Sequence, residues 1–257
     1  MLTLTNRGWA IYAPLIGLEL KGAFNVADLD TLQQVLGVTF RDLSLLTHAL
    51  VHRSYLNENP DFPLTSNERL EFLGDSLLGF VIAEKLYQEF PDLSEGEMTK
   101  LRAALVRQST LAHMAKSLRL GDYLYLGRGE EATSGRTKPS TLARAFEAVV
   151  GAVLMDQGSD GAKQFVLNLF QDEIHSAIEE KLAGDYKSRL QELVQARHRV
   201  PPFYRTIKEE GPDHAKEFTV EVIVTGSIIG VGRGRSKRMA EMEAARMALE
   251  GFSPDSQ

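Results

Sequence analysis

Cysteine is absent from the 257 residues. That single absence excludes a disulfide framework, a thiolate zinc site, an iron–sulfur cluster and a cysteine nucleophile. Long hydrophobic runs are missing too, and nothing approaches the roughly 18 apolar residues that a membrane-spanning helix needs. The apolar segment Trp9–Leu20 is broken by Pro14 and Glu19, and only Arg7 precedes it. No secretory leader is expected, so the cytoplasm is the expected compartment, with no membrane partner. Repeats and low-complexity tracts are also lacking. What remains is ordinary for a soluble chain long enough for two domains, 43% hydrophobic and 25% charged.

The net charge of −6 hides an asymmetry. Residues 186–252 hold twelve Lys and Arg against nine Asp and Glu, whereas residues 1–185 hold seventeen against twenty-five. An acidic body therefore carries a mildly basic C-terminal module, which suggests that one part collects carboxylates and the other meets an anion.

Periodicity predicts helices nearly throughout the body. Leu32, Val35, Leu36, Leu43, Leu46 and Leu50 fall at helical spacing within 31–60, and Asn57–Pro63 reads as a loop. A long helix runs from Asn67 to Phe90 and is closed by Pro91. Ser94 opens the next, with Glu97 completing a capping box. Gly127–Ser140 reads as an exposed loop. Helices are expected to resume at Leu142–Met155 and Gly161–Leu182. After a change of pattern at Ala183–Asp185, one more helix covers Tyr186–Arg197. Three strand patterns follow, at Phe203–Lys208, Glu217–Val224 and Ile228–Arg233, and an alanine-rich helix at Ser236–Leu249 closes a compact α+β module.

On the helix Asn67–Phe90, the row Glu71, Asp75, Leu78, Ile82 shares one face, apolar in one half and acidic in the other, with Glu68 alongside. The row Ala143, Glu147, Val150, Leu154 repeats the device. Acids at the end of a packing row need a cation or hydrogen-bond donors, and oxygen ligands without histidine or cysteine suit Mg²⁺ or Mn²⁺. Pairing with Arg69 or Lys85, or simple solvation, remains open on spacing alone. His48 and His52, at i and i+4, fit a metal pair or two hydrogen-bonded side chains of one helix. At the other end of the chain, Ser236-Lys237-Arg238 starts a helix with cations against the macrodipole, which is resolved if a phosphate docks there.

The decapeptide Asn67–Ser76 (NERLEFLGDS) resembles the signature of the ribonuclease III family. Ala49–Tyr55, Ser94–Val106 and Leu142–Gly151 resemble its flanking motifs, and the likeness spans about residues 31–252. The resemblance implies a mainly α fold: an all-α nuclease domain over 31–183, then a small α-β-β-β-α double-stranded-RNA-binding domain over 184–252. Residues 1–30 form an extension of unknown role, and 253–257 a tail. It further implies a homodimer without organic cofactor that cuts duplex RNA by metal-dependent hydrolysis, leaving 5′-phosphate and 3′-hydroxyl ends in RNA processing and decay. By matching position, Glu71, Asp75 and Glu147 are the metal ligands. Asp75 and Glu147, with Glu68 and Glu95, form the catalytic set. Phe72, Leu73 and Leu77 are candidates for the dimer contact or the core behind it. Gln191, Glu192 and His214 match positions facing RNA minor grooves, and Lys237 and Arg238 match the phosphate clamp. One position departs: Arg144 stands where the family pattern has an aspartate. Arg144 is expected to pair with Glu147 or Asp75. A nuclease-silent, double-stranded-RNA-binding dimer is the alternative that it raises.

Overall fold

The computed structural model describes residues 26–212 and 216–252. The extension 1–30 therefore lies largely, and His214 and the tail entirely, outside the described residues. Nine α-helices and three strands are described, α1–α9 and β1–β3 in chain order. The chain divides into two compact units between Gln171 and Asp172.

In the first unit, α1 (Val26–Leu36), α2 (Leu43–Ala49) and α3 (Arg53–Glu58) precede α4 (Glu68–Glu89). Asn67, which is buried, does not cap α4 with its side chain. Its amide instead donates to the Ala49 carbonyl at 3.0 Å, and its backbone N–H reaches the Val51 carbonyl at 2.9 Å. The start of α4 is thereby pinned to the end of α2. Leu78 and Ile82, the apolar half of the predicted row, are fully buried, as are Phe146 and Val150 of α8. α5 (Glu95–Leu105) carries the expected capping box between Ser94 and Glu97, and α6 covers Gln108–Ser117.

Three expectations change here. His48 and His52 do not share a helix, because α2 ends at Ala49 and His52 caps α3. The segment expected to be an exposed loop contains α7 (Arg128–Ala132), and α8 begins at Pro139. Proline is at ease in a first helical turn, where its missing N–H costs nothing. Arg136 ties the segment down, donating to the carbonyls of Gly121 and Leu124 at 2.9 Å each and pairing with Glu131 at 2.6 Å. Such long-range ties leave no periodic trace. Finally, α8 spans Pro139–His198, with non-helical angles at Gly158 and none at the expected change around Gly184. There, Ala183 is buried and Lys181 pairs with Asp185 one turn on, so the helix tolerates its glycine.

In the second unit, β1 (Phe203–Glu210), β2 (Glu217–Val224) and β3 (Ser227–Gly234) form an antiparallel sheet in that order. Thr225 and Gly226, both at positive φ, make the two-residue hairpin turn. Val220, Val222 and Val224 alternate inward onto Ala240, Ala244, Ala245 and Ala248 of α9 (Lys237–Gly251). The contact is so close that a Cβ on Gly232 would sit 2.1 Å from the Ala244 nitrogen. Leu190 and Val194 of α8 complete this core. No described helix is long and apolar enough to cross a membrane.

Candidate active site and RNA-binding surface

Two glycines bring the acidic halves of α4 and α8 together. A Cβ on Gly74 would lie 1.8 Å from the Glu147 carbonyl oxygen, and one on Gly151 would lie 2.2 Å from that of Leu70. Only hydrogen fits at either point, so the helix backbones touch where any larger residue would hold them apart. Gly74 follows Glu71 by three residues, and Gly151 follows Glu147 by four, so each glycine shares a face with its acid. The crossing therefore sets Glu71 and Asp75 against Glu147. The sequence carries this signal as glycines inside two helical patterns, yet nothing there specifies that they face one another.

The electrostatics record the crowding. Burial, then the charges of Asp75 and Glu71, push the Glu147 carboxyl up to about 7, and Arg144 only partly offsets them. Burial raises Glu71 as well; Arg144 opposes this, and Glu68 and Asp75 add to it. Arg144 pairs with Glu71, Nε to Oε1 at 3.5 Å. Spacing along the helix points instead to Glu147 or Asp75 as the partner. The side chain of Arg144 reaches back across the helix crossing to α4, a direction that spacing along α8 alone does not give.

Glu68 stands at the rim, accepting from the Ser66 hydroxyl at 2.8 Å and 3.7 Å from Arg53. Glu95, in the first turn of α5, accepts from the Thr99 hydroxyl at 3.2 Å. Among the described residues, no hydrogen bond or ion pair joins it to the carboxylates of α4 and α8. Burial lowers His52, which also feels Glu130 and Arg144. Its Nδ1 lies 2.8 Å from the Ser54 hydroxyl, while His48 Nε2 lies 3.1 Å from the Ser66 carbonyl and 3.0 Å from the Thr65 hydroxyl. Both histidines are thus hydrogen-bonded side chains.

Among the described residues, no three acidic or histidine side chains already close to metal-ligand geometry. The donor set nevertheless fits a hard cation. Three carboxylates converge from two helices, and one of them is held near neutral pKa by burial and the charge of the others, a repulsion that a divalent ion would relieve.

In the second unit, Gln191 and Glu192 are exposed on α8, on the side away from buried Leu190 and Val194. Lys187, Ser188, Lys237, Arg238 and Glu241 line an open recess of about 540 Å³. The Ser236 hydroxyl accepts from Met239 N–H, capping α9 as expected. Both cations of its first turn have acidic partners. Lys237 Nζ lies 2.7 Å from Glu209 Oε1, and Arg238 pairs with Glu180. Lys187 joins Glu241 at 2.6 Å and lies over the Tyr204 ring.

Comparison with known proteins covers both units. The family described as ribonuclease-III-like matches residues 42–174, and the double-stranded RNA binding motif matches residues 186–251. A protein of Dehalococcoides mccartyi named Ribonuclease 3 is 48% identical over 225 residues, 88% of this chain and 95% of its own length. One of the same name from Symbiobacterium thermophilum is 50% identical, covering 84% of this chain and 91% of its own. A solved nuclease domain of ribonuclease III from Campylobacter jejuni superposes with a TM-score of 0.52 at 41% identity, over 56% of this chain and 96% of that one. With this likeness running through nearly the whole length of its relatives, and with both units accounted for, the chain belongs to the ribonuclease III family.

Proposed function

We propose that the chain is an endoribonuclease that cuts double-stranded RNA at the crossing of α4 and α8. Glu71, Asp75 and Glu147 hold a divalent cation there, Mg²⁺ or Mn²⁺. The observation that carries the reading is the Gly74–Gly151 contact, which forces three carboxylates together at a cost in mutual repulsion. Such an arrangement destabilises the empty protein, so it makes sense where a cation completes it.

When bound there, the cation would supply positive charge that lowers the pKa of a water and offsets the negative charge developing on the phosphate oxygens. Water oxygen bonds to phosphorus, the P–O3′ bond breaks, and the departing oxygen takes a proton. A 5′-phosphate and a 3′-hydroxyl remain. The residues of the chain orient the reactants: α4 and α8 fix the carboxylates, Glu68 lies at the rim beside Arg53, and Glu95 is assigned to the catalytic set from a neighbouring helix.

The RNA-binding part is placed in 184–252 and the nuclease part in 31–183. Gln191 and Glu192 are assigned to 2′-hydroxyls of the minor groove, Lys237 and Arg238 to the phosphates beyond, and His214, by matching position alone, to the next minor groove. Such contacts read A-form shape, which favours duplexes over single strands.

Dimerisation is placed on α4, where Phe72, Phe80 and Tyr87 are 77%, 61% and 73% exposed. These residues recur at i, i+8 and i+15 along one face, a stripe of aromatic surface that a second copy would bury. Leu73 and Leu77 are half-buried behind it. The nuclease domain of the Campylobacter jejuni ribonuclease III has a region involved in dimer formation. Paired sites would cut both strands of a duplex in the cytoplasm, with ribosomal and messenger precursors as substrates.

The test is a long, perfectly paired RNA incubated with the protein in Mg²⁺, beside the same RNA as a single strand and beside an EDTA control. Cleavage of the duplex alone, and only with the cation, is the expected result. Cleavage in EDTA, or equal cleavage of the single strand, overturns the proposal.

A further inference from the structure

We propose that the site takes one divalent cation per chain, with the Arg144 guanidinium supplying the second positive charge that meets the scissile phosphate. This rests on the reading of Glu71, Asp75 and Glu147 as cation ligands. Arg144 precedes Glu147 by three residues and so stands one helical turn away on α8. Its Nε lies 3.5 Å from Glu71 Oε1, and among the described residues no other carboxylate forms an ion pair with it. Glu71, Asp75 and Glu147 carry three negative charges and the guanidinium beside Glu71 one positive charge, a balance of −2 that a single divalent ion matches with all three carboxylates as ligands.

A second ion would have to lie about 3.5–4 Å from the first and share its ligands. The guanidinium occupies one end of the same small carboxylate group and repels a cation there. Unlike an acid, an arginine offers no lone pair to a metal. It does offer a planar fork of N–H donors that suits the non-bridging oxygens of a phosphate. The Nε side stands against Glu71, and 55% of the side chain remains exposed. A half-open cation beside a carboxylate cluster is placed to receive a polyanion that the carboxylates alone would repel. The replacement of an acid by Arg144 is therefore an exchange of one cation for another, not a defect.

The test is calorimetric titration of the full-length chain with Mn²⁺, and of its Arg144→Asp, Arg144→Gln and Glu147→Gln variants. The native chain is expected to bind one Mn²⁺ at this site. Arg144→Asp is expected to bind two and to show the exchange-coupled resonance of neighbouring Mn²⁺ ions. Arg144→Gln should keep one ion and its duplex affinity while single-turnover cleavage slows about 10²-fold, the size of loss seen when one transition-state donor is removed. Two ions in the native chain, or native-rate cleavage by Arg144→Gln, overturns the inference and leaves the metal site standing. No ion in the native chain, or unchanged Mn²⁺ binding by Glu147→Gln, overturns the metal site and the inference together.

Discussion

Replacing Gly74 by alanine asks whether close helix contact is what assembles the site. The added methyl would lie 1.8 Å from the Glu147 carbonyl oxygen and 2.9 Å from Gly151 nitrogen, both backbone atoms. An ordinary contact needs about 3.4 Å, so α4 and α8 must part by roughly 1.5 Å or bend. Overpacking of this kind costs about 1–3 kcal/mol. The usual gain from Gly→Ala in a helix, about 0.5–1 kcal/mol, offsets part of it. Gly184 supplies the control for that gain, since a Cβ there meets nothing within 4 Å. Net destabilisation of the nuclease unit by about 1–2 kcal/mol is expected for Gly74→Ala, and a slight stabilisation for Gly184→Ala. Displacement of the carboxylates by about 1 Å should matter more to function, slowing cleavage about 10²-fold. Urea unfolding, Mn²⁺ titration and single-turnover cleavage read the three effects separately. If Gly74→Ala matches Gly184→Ala in stability and in Mn²⁺ affinity, the reasoning about the helix crossing is wrong.

Three further outcomes follow from charge and exposure. With the Glu147 carboxyl raised to about 7, the folded chain holds this proton more firmly than the unfolded one. Metal-free stability should therefore fall as pH rises from about 4.5 through 7, and apparent Mg²⁺ affinity should rise across neutrality, as urea unfolding and calorimetry at pH 5.5 and 8 would register. Phe72→Asp or Phe80→Asp should yield a monomer by light scattering at micromolar concentration, since each places a charge on the exposed aromatic stripe of α4. Lys237→Ala should weaken duplex binding and lower its salt slope by about one. Glu209→Gln, which frees Lys237 from its 2.7 Å partner, should strengthen binding; equal affinity in both variants would show that this cation does not meet RNA.

Periodic features are legible in the order of the residues. The row Glu71, Asp75, Leu78, Ile82, the Ser94–Glu97 capping box, the alternating valines of β2 and the Ser236 cap all appear where residue spacing puts them. These depend on neighbours within a few residues, which sequence patterns record. Tertiary ties are different. Arg136 holds 127–138 in place by reaching carbonyls twelve to fifteen residues away. Asn67 spends its amide on Ala49 instead of on its own helix, and Arg144 turns to Glu71 on α4. The acidic partners of Lys237 and Arg238 come from β1 and α8. In each case the partner is chosen by how elements meet. Local spacing gives the acids their face; the facing glycines decide which acids come near one another.

RNA binding and RNA cleavage should separate at Glu147. The direct measurement takes one fully paired RNA, the native chain and Glu147→Gln, and reads duplex affinity and end-mapped cleavage in parallel at saturating Mg²⁺. Substitution at this carboxylate, which lies in the first unit, should leave affinity within about twofold, because binding is placed on phosphate and 2′-hydroxyl contacts in the second. Native protein should produce 5′-phosphate and 3′-hydroxyl ends, and Glu147→Gln should produce none. Undiminished cleavage by Glu147→Gln, or cyclic-phosphate ends from the native chain, would contradict the carboxylate–metal mechanism outright.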